Sequence, residues 1–294
     1  MDKNKSLAII MAIFGVVLFS AKAVMVKLAY QHGIEAVPLL LLRMLFALPV
    51  YVIISFFHTS TGTSKIKRSD YLWLVVFGIV GYYLASYFDF LGLQYIKASL
   101  ERIILFIYPT LVLLISRVVL KTPITKAQVI AVLITYLGVF IAFWDEIELS
   151  GNGAYLGGIL IFFSALTYAS YLVGSGWLIP KFGATRFTSY AMIVSSIAVV
   201  CHYAAFDEIN LFEYPNEVYF LALAMALLST VIPSYLVSAS IKLIGAPSFS
   251  IIGSLGPIST IILANIFLDE RMTFLQIIGT IVVIAGIWVV SKKE

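Results

Sequence analysis

The chain has 294 residues, of which 62% are hydrophobic and only 12% are charged; a soluble globular domain carries about 25% charged residues, so this sequence cannot clothe such a surface. Its net charge of +4 does not point to nucleic acid, because the basic residues sit in short connectors between apolar runs, where they report membrane orientation. The single cysteine, Cys201, excludes an intramolecular disulfide and a multi-cysteine metal site, and His32, His58 and His202 lie near segment ends rather than together. No metal and no cofactor is expected.

A spanning helix needs about 20 apolar residues. Runs of that kind predict helices over 6–29, 36–57, 70–92, 98–118, 124–144, 154–174, 185–205, 217–238, 246–267 and 273–291. The first follows Met1-Asp2-Lys3-Asn4-Lys5 and contains Lys22 and Lys27, which marks it as a retained helix rather than a cleaved signal. Turn and charge signals separate the runs, among them Gln31-His32-Gly33, Thr59 to Asp70, Lys121-Thr122-Pro123, Ser150 to Gly153, Pro180 to Gly183 and Asp269-Glu270-Arg271. Only helices and closed barrels satisfy their backbone in lipid, and no segment alternates as barrel strands do. The predicted class is therefore an all-α membrane protein of ten transmembrane helices.

With the N-terminus in the cytoplasm, Lys3, Lys5, Lys65, Lys67, Arg68, Lys121, Lys126, Lys181, Arg186, Lys242, Lys292 and Lys293 fall inside, and only Lys97 and Arg271 fall in outer connectors. Asp145, Glu146, Glu148, Asp207, Glu208, Glu213, Glu217, Asp269 and Glu270 lie on the opposite side. Trp73, Trp144, Trp177 and Trp288 all fall near predicted helix ends, as an interfacial belt requires. Both termini are expected in the cytoplasm, and the location is a multi-pass protein of the cytoplasmic (inner) membrane.

Shifting the chain by 148 residues places Ala98, Ile103, Ile104, Pro109, Leu120, Thr125, Gln128, Ile130 and Gly138 on Ala246, Ile251, Ile252, Pro257, Leu268, Thr273, Gln276, Ile278 and Gly286. This predicts a duplication, with units 1–146 and 147–294. Five helices per unit is an odd number, so the second unit enters the bilayer from the other side. Inverted repeats of this kind place a substrate site near mid-membrane between them.

The stretch from Leu268-Asp269-Glu270-Arg271 through Gln276 and Gly279 to Gly286-Ile287-Trp288, with Gly256-Pro257 before it, resembles the closing hairpin of the EamA-type drug/metabolite transporters. Tyr108-Pro109 through Leu120 to Thr125 and on to Leu137-Gly138 is similar to the same module, although Lys121-Thr122-Pro123 stands where an acidic-Glu-Arg turn is common. The resemblance implies two inverted five-helix bundles, cytoplasmic termini and movement of small metabolites, often amino acids or related compounds. It implies no catalytic residues.

Charges within spans cost at least about 2.5 kcal/mol each at mid-bilayer, so each is a functional candidate. They are Lys22, Lys27, Arg43, Asp89, Glu101 and Arg102, all assigned to the outer half, with Lys27 and Asp89 nearest the interface. The structural alternative is ion pairs that lock the first bundle, or snorkelling. Under the 148-residue shift Arg43, Asp89, Glu101 and Arg102 fall on Ala191, Val237, Phe249 and Ser250, so the other half is built without them. Four cations against two carboxylates suit an anionic group. Glu101 stands one turn after Lys97, with which it can pair; facing a cavity instead, it becomes the first candidate for proton coupling, with Asp89 second.

The expected substrate-binding set is Lys22, Arg43, Glu101, Arg102, Tyr87, Tyr168, Tyr171 and Tyr235, the tyrosines combining apolar area with a hydrogen-bonding tip. Pro109 and Pro257 occupy matching positions and are expected to kink or gate their helices. The expected activity is a secondary carrier that works by alternating access and exports amino acids or related compounds, with an organic-anion or sugar-phosphate-like exchanger as the alternative. The expected partners are a small-molecule substrate, the lipid bilayer and a proton or counter-substrate; apolar outer faces suit lipid and a second copy alike, which leaves the oligomeric state open. A membrane-embedded enzyme is disfavoured because the histidines and Cys201 are peripheral and Asp89 with Glu101 is the one acidic pair within the spans. No Gly-rich phosphate loop supports ATP hydrolysis.

Overall fold

A computed structural model describes residues 3–57, 65–142, 144, 153–206, 211–267 and 273–293. His58, the acidic residues Asp145, Glu146, Glu148, Asp207, Glu208, Asp269 and Glu270, and Leu268 and Arg271 lie outside the described residues. Among the described residues all regular structure is helical: α1 (Lys3–Tyr30), α2 (Ala36–Phe57), α3 (Arg68–Gly78), a π-helical turn (Ile79–Leu84), α4 (Ala85–Tyr95), α5 (Ala98–Leu105), α6 (Tyr108–Val119) and α7 (Lys126–Ala142). There follow α8 (Ala154–Phe182), α9 (Ala184–Phe206), α10 (Asn216–Ala226), a second π-helical turn (Leu227–Val231), α11 (Ile232–Ile252), α12 (Leu255–Phe267) and α13 (Phe274–Lys293).

Six of the described helical stretches are long and apolar enough to cross a bilayer: Lys5–Tyr30, Ala36–Phe57, Arg68–Tyr95, Tyr155–Phe182, Ala184–Phe206 and Asn216–Ile252. Shorter apolar helices, Tyr108–Val119, Lys126–Ile141, Leu255–Phe267 and Ile277–Gly286, accompany them. The protein is a multi-pass helical membrane protein. Large apolar side chains such as Phe14, Phe56, Val118 and Leu133 point outward, while many of the buried side chains are serines and threonines. That inversion of the soluble pattern follows from having lipid as the solvent.

Prolines and glycines set the breaks inside the apolar runs. The predicted helix over 98–118 is two helices, because the chain turns at Phe106-Ile107 and restarts with Pro109 in the first turn of α6, where its missing N–H is no loss. Pro109 and Pro257 thus begin helices after a break and do not bend continuous ones; Gly253-Ser254 is the corresponding turn before α12. The predicted end at 238 is too early: α11 continues through buried Ser238 and Ser240, and its helical geometry fails at Gly245 (φ 76°), just ahead of Ala246-Pro247. Ser240, which falls between the two predicted helices, is packed inside.

The two π-helical turns start at Ile79 and Leu227, 148 residues apart. The first accommodates Gly81, where an added Cβ would collide with Tyr171 of α8. α7 and α13 pack on each other through Gly138 and Gly286: a Cβ on Gly138 would lie 2.7 Å from the Val283 backbone N, and one on Gly286 would lie 2.6 Å from Thr135 Cγ2. Small residues let membrane helices approach closely enough for dispersion contacts to hold them. α1 packs chiefly against α11 and α12, α2 against α9, and α4 against α8, so each half of the chain covers the other.

Candidate functional site

These contacts leave a cavity in the middle of the molecule, bounded by α1, α2, α4, α5, α6, α8, α11, α12 and the first π-helical turn. Its enclosed volume is about 90 Å³, and it is in part open to the exterior. One side of the cavity is charged and the other aromatic.

The charged side comes from α1, α2, α4 and α5. Lys22 Nζ lies 2.6 Å from Asp89 Oδ2, and the Asp89 side chain is 1% exposed. Asp89 is enclosed within the protein and paired with the cation from α1. Glu101, also buried, lies 2.9 Å from Nε of its neighbour Arg102. Lys97, the exposed, extended residue preceding α5, makes no ion pair with it among the described residues. Lys27 lies farther along α1, where its Nζ donates to the Leu93 carbonyl at 2.6 Å.

Arg43 is 2% exposed. Its Nη2 donates to Ser86 Oγ at 2.9 Å, and its guanidinium lies 4.8 Å from the centre of the Phe90 ring. Ser86, Asp89 and Phe90 are three and four residues apart on α4 and share a face, so Arg43 is held directly beside Asp89. Among the described residues Arg43 Nε and Arg102 Nη2 find no acceptor, and Asp89 Oδ1 and Glu101 Oε1 meet no donor. Buried polar atoms are normally satisfied, so these, together with the Tyr82 hydroxyl, are exceptions, and Arg43, Tyr82, Asp89 and Arg102 line the cavity.

The aromatic side is built by Phe19, Tyr82, Phe106, Tyr108, Tyr168 and Phe249. Tyr108 and Tyr168 meet edge to face with centroids 5.5 Å apart. The Tyr108 hydroxyl enters the space that a side chain at residue 253 would occupy, which only Gly253 leaves open. Ser20 Oγ lies 2.8 Å from the Val16 carbonyl and 3.1 Å from that of Gly256, joining α1 to the wall that carries Pro257.

Of the residues singled out in the sequence, Lys22, Arg43, Asp89, Arg102, Tyr168 and Pro257 line the cavity, and Glu101 backs it. Tyr171 lies one layer away, 5.1 Å from Tyr82. Tyr235 is farther off, bonded to Ser189 at 2.7 Å with its ring 5.7 Å from Tyr51. Tyr87 stands outside the walls, against Tyr83 and 4.8 Å from His202, and Pro109 is buried behind them. Tyr82, Ser86, Tyr108 and Ser20 were not anticipated. Tyr82 and Ser86 stand seven and three residues before Asp89, a helical spacing that would have put them on its face; nothing local marks Tyr108 or Ser20.

A multi-pass helical protein with a charged, aromatic-walled cavity between its helices has the build of a membrane transporter, and its relatives carry that name. The chain belongs to the EamA-like transporter family, whose model matches residues 6–144 and again 155–292. It is 32% identical over 277 residues to the uncharacterized transporter YcbK of Bacillus subtilis (strain 168), covering 92% of this chain and 88% of that one. It is also similar to the uncharacterized transporter YetK of the same organism (28% over 276 residues, 89% and 81% covered). The uncharacterized inner membrane transporter YicL of Salmonella typhimurium (strain LT2) is 23% identical over 257 residues, with 86% and 84% covered. A solved crystal structure shares the fold with a TM-score of 0.76 at 15% identity, covering 97% of this chain and 96% of its own.

Proposed function

We propose that this transporter is a secondary carrier that moves amino acids or related small zwitterions out of the cell across the cytoplasmic membrane, by alternating access. The observation that carries the substrate class is that a cation and a carboxylate, Arg43 and Asp89, both line the cavity, each with a buried side-chain atom, Nε and Oδ1, that has no hydrogen-bond partner. An α-amino acid bears a carboxylate and an ammonium on one carbon and supplies a partner to each. Arg43 is the carboxylate anchor, with Lys22 and Arg102 adding positive field, and the aromatic wall receives the side chain. Three cations against two acids around the same space support a second reading, an organic-anion exchanger.

The architecture that goes with this activity is ten transmembrane helices in two inverted bundles, residues 1–146 and 147–294, with both termini cytoplasmic. It is supported by the double family match, by the 148-residue offset of the π-helical turns, by the equivalent positions of Gly138 and Gly286, each at the α7–α13 contact, and by the lysine and arginine bias of one set of connectors. The site then lies between the bundles.

The test is counterflow of a labelled L-amino-acid panel in proteoliposomes, comparing the unmutated protein with Arg43→Ala and Glu101→Gln. Saturable counterflow of at least one amino acid, abolished by Arg43→Ala, is expected. If no amino acid exchanges but a carboxylate or phosphate ester without an amine does, the organic-anion reading replaces this one. Flux that rises without saturating would indicate a channel.

A further inference from the structure

We infer that Tyr108 sets the size of the substrate side chain this carrier accepts, that Gly253 sets where Tyr108 stands, and that the side chain is apolar and lodges in the space Gly256 leaves open. The inference rests on the zwitterion reading above and concerns the end of the substrate remote from its charges.

Both halves of the chain break a helix beside the cavity, the first at Phe106-Ile107 and the second at Gly253-Ser254. Under the 148-residue shift Leu105 falls on Gly253 and Tyr108 on Gly256, and all four residues line the cavity. One break therefore presents bulk to the cavity where the other presents none. The two breaks also meet, because the Tyr108 hydroxyl fills the place of a side chain at 253. Gly253 has φ −55° and ψ −16°, a near-helical conformation open to every residue, so its backbone angles do not call for glycine. The demand is one of space: the atom nearest to a Cβ there is Tyr108 Oη, ahead of Tyr108 Cζ at 2.8 Å and the Ser250 carbonyl oxygen at 2.9 Å.

Gly256 differs. Its Cβ would meet nothing nearer than Ser20 Oγ at 3.7 Å and Val16 Cγ1 at 3.8 Å, which is ordinary van der Waals contact, and its φ lies outside the left-handed region. Neither packing nor backbone requires glycine at 256, and the effect of the missing side chain is free space in front of Ser20 and Val16, which also line the cavity. The Gly256 N–H donates to the Gly253 carbonyl at 2.8 Å, so the two glycines share one turn and the tyrosine tip seated at 253 stands at the edge of the space at 256. Tyr108 is flanked by the Tyr168 ring, edge to face at 5.5 Å, and Pro109 fixes the start of its helix. If the seat at 253 is closed, the ring has the cavity to move into. Phe249, Gly253, Gly256 and Pro257 on this wall carry no charge, and the Ser20 hydroxyl is engaged by the carbonyls of Val16 and Gly256. An ionised side chain finds no partner on that wall, whereas an apolar one gains by leaving water.

The test measures half-saturation of counterflow for labelled alanine, valine, leucine, phenylalanine, aspartate and lysine in proteoliposomes holding the full chain. Crowding an apolar pocket by a methylene or so changes discrimination by about 10–200-fold, so Gly256→Val should raise half-saturation for the largest accepted side chain by about tenfold or more and that for alanine by about twofold at most. Tyr108→Ala should shift the preference the other way, toward larger side chains. Gly253→Ala should act like Gly256→Val, and combining it with Tyr108→Ala should cancel that effect. Gly256→Ala, whose methyl meets only ordinary contacts, should give a smaller shift of the same sign as Gly256→Val and keeps a folded variant in the series. A role in packing alone would change every substrate together and leave their order as it was.

An unchanged order of substrates in the Gly256 and Tyr108 variants, shifts of the same sign in both, or loss of alanine counterflow in Gly256→Ala overturns the sizing role and leaves the zwitterion carrier standing. Preference of the unmutated protein for aspartate or lysine over every apolar amino acid overturns the apolar side chain. Absence of counterflow with every amino acid in the unmutated protein overturns the zwitterion reading and this inference with it.

Discussion

Lys22 on α1 and Asp89 on α4 form a 2.6 Å ion pair across the cavity, with Asp89 1% exposed and Lys22 14% exposed. The pair ties the first helix to the charged wall, and it is also the place where the proposed ammonium would compete. Removing one partner of a buried pair leaves an unpaired charge at a cost of about 3–5 kcal/mol, whereas removing both is often close to neutral. Lys22→Ala should therefore lower the thermal stability of the detergent-solubilised protein strongly, and Lys22→Ala combined with Asp89→Ala should recover most of it while transport stays lost. Fluorescence-detected thermal unfolding of the three variants checks this; additive losses in the double variant would refute the coupling.

Arg43, which lines the cavity, is fixed by Ser86 and by the Phe90 ring, and its Nε has no acceptor. A charge-assisted hydrogen bond to a substrate carboxylate contributes about 1.5–3 kcal/mol. Arg43→Lys keeps the charge and loses the planar fork, so half-saturation in counterflow should rise by about ten- to a hundredfold, with a smaller effect on the maximal rate. An unchanged half-saturation would remove Arg43 from the binding site.

Gly253 leaves room for the Tyr108 hydroxyl. Gly253→Ala should destabilise by about 1–3 kcal/mol through overpacking, and adding Tyr108→Phe should recover part of that, because the hydroxyl oxygen is the nearest atom to the new methyl. Melting temperatures of the single and double variants decide it. Equal destabilisation in both would mean that the backbone at 253, and not the tyrosine, sets the constraint.

Asp70 joins two elements at once. Oδ2 accepts the Lys67 backbone N–H at 2.8 Å ahead of α3, and Oδ1 accepts from Lys181 of α8 at 2.6 Å. Lys181 also lies 4.4 Å from the centre of the Trp177 ring. Asp70→Ala loses a helix cap and an ion pair, and should cost about 2–3 kcal/mol, more than Lys181→Ala, which leaves the cap intact. The order of the two melting temperatures is the measurement, and the reverse order would contradict the capping role.

The apolar runs, the helical class and the unusual status of six charges in the spans were all legible in the sequence, because each depends on what a residue type costs in lipid wherever its neighbours lie. Helix breaks were legible only in part. Pro109 and Pro257 announced an interruption, but whether the helix bends or restarts depends on the residues before each proline, and Ser240, which falls between the predicted helices 217–238 and 246–267, is buried within α11.

What the sequence determined by itself is therefore the solvent the protein lives in and the inventory of groups it carries into that solvent. Only the tertiary structure decided which of those groups meet: that Asp89 answers Lys22 from 67 residues away, that Glu101 pairs with Arg102, and that Tyr82 and Tyr108 line the cavity while Tyr87 does not. The physical reason is that the cost of a buried charge is set residue by residue, while its compensation depends on which helix faces bring a partner within about 3 Å, a property of packing that no local pattern encodes.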